Sequence, residues 1–225
     1  LFNKKFSIES IKNVLSFYFN GCIFKMTKIR IKKINCAGIT IFARNSILSM
    51  EIQILDKTFV PYLSIEEIQN QVQRVASEIA EDLKNEVPIF IGVLNGSFMF
   101  TSDLMKYYQH PAEISFVKMA SYEGTSSTEQ VTQLLGLDID LTNRHIVLIE
   151  DIVDTGNTIV ELVKIINRYK IKSARIATLF FKPEAYKKDI SLDYVGFEIP
   201  NKFIVGYGLD YNKQGRNIPA VYQIK

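Results

Sequence analysis

Glu150, Asp151 and Asp154 crowd three carboxylates into one short stretch, and Thr155-Gly156-Asn157-Thr158 follows without a break. Before them, Ile146-Val147-Leu148-Ile149 is an apolar run of the kind that forms a buried parallel strand. After them, Ile159, Leu162, Val163 and Ile166 repeat at helical spacing. The loop between therefore lies at a strand's carboxyl end and a helix's amino end, where open α/β sheets bind ligands. Small hydroxyl residues around one glycine let backbone N–H groups surround a phosphate there. Carboxylates would repel a bare phosphate, so the acids suit other work, such as holding sugar hydroxyls or a metal ion. A lone acidic loop could equally cap a helix in an ordinary doubly wound sheet. The ordered run of strand, acid pair, second Asp and phosphate loop is what argues for chemistry.

Other segments carry candidate chemistry. Gly92-Val93-Leu94-Asn95-Gly96-Ser97-Phe98 is a second strand-to-helix junction, with Gly96 and Ser97 offering N–H groups to an anion. Ser121-Tyr122-Glu123-Gly124-Thr125-Ser126-Ser127-Thr128 is too polar for a core strand and reads as a loop. Lys182 follows an apolar run; its ammonium has donors only, so it can contact a carbonyl and disfavours an amino group. Alone it reads as a solvated lysine, Phe203 as core, and Asp210 as a turn residue.

The elements that must position these residues can be read from periodicity. Ser64-Ile65-Glu66-Glu67 is a capping box, and a helix should run from it to about Lys84, with Ile65, Ile68, Val72, Val75, Ile79 and Leu83 on one face. Strand-like runs lie at 89–94, 114–119, 146–149, 175–181, 194–198 and 203–207, and helical patterns at 98–107 and 158–170. Alternating strands and helices predict an α/β domain, a mainly parallel sheet flanked by helices. There are no repeats or low-complexity linkers after Met50, so 50–225 reads as one domain.

Composition bounds the rest. At 225 residues, 47% of them hydrophobic, the chain suits one substantial core, and it has no uninterrupted apolar run long enough to span a bilayer. Cys22 and Cys36 both precede Met50, which excludes a disulfide framework or cysteine zinc site beyond it. The two histidines, His110 and His145, argue against a histidine-ligated metal, and His145 reads as a solvent-facing loop residue. The net +3 is unevenly placed, because residues 1–49 hold nine Lys or Arg against one acid, Glu9. Three readings compete for that basic extension: a targeting peptide, an arm for nucleic acid or anionic lipid, or translated sequence upstream of a start at Met50. Ile, Lys, Asn and Phe, all with A/T-rich codons, make up 27 of the 49 residues and favour the third. Residues 1–49 are accordingly expected to lie outside the domain.

The Ile146–Thr158 segment resembles the phosphoribosyl pyrophosphate (PRPP) signature of the type I phosphoribosyltransferases, and the other blocks resemble its hypoxanthine-guanine branch. The likeness spans residues from about 52 to 223 in family order and leaves out 1–49. It implies that family's fold, with a small hood beside the sheet. It also implies an enzyme of purine salvage, which transfers 5-phosphoribosyl from PRPP to N9 of hypoxanthine or guanine, giving IMP or GMP and pyrophosphate. By resemblance, Glu150 and Asp151 hold the ribose hydroxyls or a Mg²⁺ on them, and Thr155, Gly156, Asn157 and Thr158 cradle the 5′-phosphate. Asp154 takes the N7 proton as general base. Asn95 and Gly96 bind pyrophosphate after a cis peptide expected between Leu94 and Asn95, although many relatives carry Lys or Arg at Asn95's place. Ser121 and Tyr122 belong to a mobile loop that closes over PRPP. Lys182 reads the purine O6, Phe203 stacks on the base, and Lys202 and the Ile204 backbone complete the base site. Asp210 is a further Mg²⁺ ligand, and Arg216 pairs with pyrophosphate. The implied setting is a cytoplasmic homodimer or homotetramer that uses PRPP and 6-oxopurine bases, without nucleic acid or membrane.

Two rivals weigh against this. A PRPP-sensing regulator on the same fold needs a basic surface, and the strong positive charge lies only in residues 1–49. An aspartyl phosphotransferase typically uses Asp-x-Asp, whereas Asp151 and Asp154 stand three apart.

Overall fold

The computed structural model describes residues 50–121, 131–135 and 139–225, together with two short antiparallel strands, β1 (Tyr18–Phe19) and β2 (Cys22–Ile23). The chain divides into two compact units, residues 1–61 with 224–225, and residues 62–223. In the first, β3 (Ile52–Ile54) and the start of β4 (Lys57–Leu63) form a hairpin, and the Lys225 N–H donates to the Thr58 carbonyl at 3.1 Å.

The second unit is built on a six-stranded sheet. Its strands are β5 (Ile89–Leu94), β6 (Glu113–Ser121), β7 (Val131–Leu135), β8 (His145–Val153), β9 (Ser173–Phe181) and β10 (Tyr194–Glu198). Their spatial order is β10-β9-β8-β5-β6-β7, and all neighbours pair in parallel except β6 with β7. After β5 the chain adds β6 on one side, then returns to lay β8 on the other. The order thus reverses between β5 and β8, and a doubly wound sheet opens its ligand crevice at that switch point. The segments that leave β5 and β8 are 95–97 and 154–158, the two junctions singled out by their residue types.

Alternation along the strands explains why the sheet is covered on both faces. Phe90, Val147 and Ile149 pack with α1 (Ile65–Asp82) and α2 (Phe98–Tyr107) in one cluster, while Ile89, Ile91, Ile146 and Leu148 pack with α3 (Asn157–Ile166) in another. Each fully buried Ile, Leu or Phe contributes roughly 1.5–3 kcal/mol. The capping box forms as expected: the Ser64 Oγ accepts from the Glu67 N–H at 3.1 Å, and the Glu67 carboxylate accepts from the Ser64 N–H at 2.8 Å. β11 (Ile204–Val205), paired antiparallel with residues 222 and 223 of β12 (Val221–Ile224), completes the unit.

Four local expectations are corrected. Ile65 is 43% exposed, because the first helical residue projects before the buried stripe begins at Ile68. Helix α3 ends at Ile166 rather than Lys170; the Arg168 and Tyr169 N–H groups bond three residues back and tighten the last turn. The strand expected over 203–207 is only Ile204–Val205, since Gly206, Tyr207 and Gly208 all take positive φ. His145 begins β8 rather than lying in a solvent-facing loop, and its Nδ1 is 2.7 Å from the Ser173 Oγ.

Candidate active site

The amino end of α3 is built for an anion. Gly156 caps it with φ 79°, and no side chain among the described residues caps the helix. Those orphan donors need a partner, and the helix dipole favours a negative one. Thr155 and Asn157 are exposed beside them and Thr158 is half-buried. A Cβ on Gly156 would stand 2.4 Å from the Tyr186 ring, so a larger residue is excluded on that side.

The acid pair differs in surroundings. Glu150 is 7% exposed, and its Oε2 has no hydrogen-bond partner among the described residues. Burial, and then the charge of Asp151, push its carboxyl well above the ordinary range. Asp151 is pushed up to about 6, again chiefly by burial. The backbone N–H groups of Ile152 and Asp151 itself oppose this, as does Arg216, while Asp210 adds to it. Two desolvated carboxyls, one with an orphan oxygen, fit a cation, which would supply the missing compensation. Among the described residues no group of three or more His, Cys, Asp or Glu gathers as a ready cage. Mg²⁺ suits such a site, because it takes one or two carboxylates and draws its other ligands from water and substrate phosphates.

The loop after β5 lies directly against these acids. The peptide between Leu94 and Asn95 is cis, as expected, and Asn95 is exposed. A Cβ on Gly96 would fall 1.7 Å from the Asp151 Oδ2, so only glycine lets this loop approach the acid. On its other side, a Cβ on Gly208 would fall 2.1 Å from the Gly96 carbonyl oxygen. Ser97 is fully buried, and its hydroxyl donates to the Val93 carbonyl at 2.7 Å, which ties the loop to β5.

Arg216 closes this side. It forms an ion pair with Asp210 and donates to the Gly208 carbonyl at 2.7 Å, while Asp210 also accepts from the Lys213 N–H at 2.6 Å. The expected metal ligand and the expected pyrophosphate cation are therefore partners of each other.

Lys182 and Asp154 meet on the opposite side. Lys182 follows β9, its N–H donates to the Val153 carbonyl at 3.0 Å, and its ammonium donates to the Asp154 Oδ2 at 2.8 Å. The lysine side chain is 9% exposed and the aspartate 43%, so the pair is buried at one end and open at the other. The reading of Lys182 as an ordinary solvated lysine is thereby overturned. Lys202 and Phe203 are exposed and Ile204 is buried; the Phe203 ring stands edge-on to Tyr211, with centroids 5.8 Å apart. Ser121 ends β6, whereas Tyr122 lies outside the described residues.

Sequence reading missed Asp103, Tyr207, Gly208 and Tyr186. The spacing Gly206-Tyr207-Gly208 signals a turn, but nothing local ties it to Asp103 or to Gly96.

Residues 62–212 match the phosphoribosyl transferase domain model. The hypoxanthine-guanine phosphoribosyltransferase of Bacillus subtilis (strain 168) is 40% identical over 164 residues, covering 72% of this chain and 91% of that protein. A crystal structure of a hypoxanthine phosphoribosyltransferase from Staphylococcus aureus aligns with TM-score 0.69 and 37% identity, over 72% of this chain and 89% of that one. One of a hypoxanthine-guanine phosphoribosyltransferase from Bacillus anthracis aligns at 0.70 and 35%, over 77% and 100%. No helix among the described residues is long and apolar enough to cross a membrane.

Proposed function

The chain belongs to the phosphoribosyltransferase family, in its hypoxanthine-guanine branch, and we propose that the crevice between β5 and β8 is where it acts. The chain is a transferase of purine salvage that moves the 5-phosphoribosyl group of PRPP to N9 of a 6-oxopurine. In the transfer, the bond from C1 to the pyrophosphate oxygen breaks as the bond to N9 forms. The protein's share is alignment, charge compensation and one proton transfer.

The observation that carries the base-site assignment is the Lys182–Asp154 pair. A 6-oxopurine protonated at N7 presents an acceptor, O6, next to a donor, N7–H. Lys182 is a donor and Asp154 an acceptor, side by side at 2.8 Å, so the pair complements that edge. Adenine would set its 6-amino group against the ammonium. As N9 attacks C1, N7 becomes acidic, and Asp154 is placed to take its proton. Lys202, Phe203 and the Ile204 backbone line the rest of the base site in this reading.

The 5′-phosphate occupies the uncapped start of α3, between Thr155 and Thr158, and pyrophosphate occupies the N–H groups of Asn95 and Gly96. Glu150, Asp151 and Asp210 would hold Mg²⁺, which would supply charge neutralisation for the departing pyrophosphate. Arg216 exchanges Asp210 for pyrophosphate when substrate is bound. In this reading Ser121, the last residue of β6, contacts PRPP. A homodimer or homotetramer in the cytoplasm completes the proposal; the domain from Met50 has no cysteine and needs no oxidising compartment.

The test is one assay panel with PRPP, with and without Mg²⁺, against hypoxanthine, guanine, xanthine and adenine. Mg²⁺-dependent pyrophosphate release with hypoxanthine or guanine, and none with adenine, is expected. Equal turnover of adenine would contradict the assigned roles of Lys182 and Asp154.

A further inference from the structure

Three consecutive residues, Gly206, Tyr207 and Gly208, take φ of 102°, 48° and 98°. Glycine adopts such angles freely, but a bulky residue in the left-handed region is held there by its surroundings. Tyr207 is 2% exposed, and its N–H donates to the Ile218 carbonyl at 2.7 Å. Its hydroxyl donates to the Asp103 Oδ2 at 2.7 Å. Asp103 also accepts from the Gln69 amide at 2.6 Å and from Lys106 at 2.7 Å, and Gln69 in turn accepts from the Tyr107 hydroxyl at 3.1 Å.

The location of Asp103 gives this network its meaning. Asp103 stands on α2, the helix that begins at Phe98, immediately after Asn95-Gly96-Ser97. The Tyr207 hydroxyl therefore fastens the 206–210 turn to the same helix that carries the loop after β5. Gly208 comes next and lies on the Gly96 carbonyl, close enough that a methyl group would clash. The Gly208 carbonyl receives Arg216, and Arg216 meets Asp210. From Asp103 through Tyr207 and Gly208 to Gly96 and Asp151, every step is a hydrogen bond, a covalent link or a packed contact.

We propose that Asp103 and Tyr207 are positioning residues for the pyrophosphate half of the site, setting Gly208, Asp210 and Arg216 against Gly96 without touching substrate. This rests on the function proposed above. Lys182 and Asp154 do not depend on the tether, since β8 and β9 fix them. Loosening the turn should therefore weaken PRPP and pyrophosphate and spare the purine edge read by that pair.

The test uses the full chain with Tyr207→Phe, which keeps the ring and removes the hydroxyl. It is paired with Asp103→Ala, at a partly exposed side chain. KM for PRPP, inhibition by pyrophosphate, KM for hypoxanthine and Tm are measured for each and for the double variant. One neutral-to-charged hydrogen bond predicts an increase of about 10-fold or more in KM for PRPP and in the pyrophosphate inhibition constant. KM for hypoxanthine should stay within about twofold, and the double variant should be no worse than the poorer single one, since both break the same Tyr207–Asp103 bond. Equal rises in the two KM values, or a lower Tm with KM for PRPP unchanged, would overturn the proposal. Wild-type turnover in the same assay separates the layers: its absence overturns the function and this proposal together, while its presence with either adverse pattern overturns the proposal alone.

Discussion

The Lys182 ammonium and the Asp154 carboxylate meet at 2.8 Å from the ends of adjacent parallel strands, β9 and β8. A pair this open on the aspartate side contributes little net stability, because solvent screens it and both groups must be desolvated or ordered. An incoming purine edge can therefore take over both partners without a large energetic obstacle. Under the proposed function, the pair marks the pattern of charges that the substrate must match.

Lys182→Met keeps the buried stem and removes the charge. KM for hypoxanthine is expected to rise about 10- to 150-fold, the range for losing a hydrogen bond to a charged group. KM for PRPP should move less than about threefold. Steady-state kinetics in both substrates read the split, and an unchanged hypoxanthine KM would remove Lys182 from base recognition.

Gly96→Ala tests the contact between the two halves of the crevice. A methyl group would meet the Asp151 carboxylate, so either the loop or the acid must shift. The site is at the surface end of β5, away from the two cores, so folding should survive with Tm lowered by only a few degrees. PRPP affinity, measured by calorimetry with Mg²⁺, is expected to fall by about 10-fold or more, as overpacking of about 1–3 kcal/mol is relieved at the expense of the site. Wild-type affinity would show that Gly96 is not pressed against Asp151.

The buried acids set a pH dependence of stability. Burial raises both Glu150 and Asp151, so between the ordinary carboxylate range and the folded values, about 6 for Asp151, the folded chain holds protons that the unfolded chain has lost. Their contribution is present below that window and is lost as pH rises through it. Glu150→Gln removes one of these charges. In the unliganded enzyme it should raise Tm at pH 8 by a few degrees, as expected for about 1–3 kcal/mol in a chain this size. The gain should shrink at pH 5, and Mg²⁺-dependent PRPP binding should weaken. Calorimetric melting at both pH values decides it; a lower Tm at pH 8 would mean that Glu150 is compensated in the free protein.

What could be read from the sequence was what is local. The capping box at Ser64, the bounds of α2 and the loops after β5 and β8 each depend on residues within a few positions of one another, and those expectations hold. The role of Gly96 was legible only in part, since its glycine is required by Asp151 and its carbonyl is covered by Gly208, both distant in the chain. Lys182 reads as solvated until β9 is laid beside β8. Tyr207 reads as the continuation of a strand in an apolar run, yet its hydroxyl is committed to Asp103 and its backbone to a left-handed turn. Hydrophobic period and turn chemistry cannot register such pairings, because they are made by the order of strands rather than by neighbours in sequence.

The most direct test of the assignment is the turnover of Asp154→Asn, measured under saturating PRPP, Mg²⁺ and hypoxanthine, with PRPP binding followed in the same preparation. Asn keeps the shape and can still accept from Lys182, but it cannot take the N7 proton. A fall in kcat of about 10²- to 10⁴-fold, the usual worth of a general base, with PRPP affinity within about threefold of wild type, is the predicted result. Undiminished kcat would contradict the account, because the Lys182–Asp154 pair would then be holding the base site together without doing its proton chemistry.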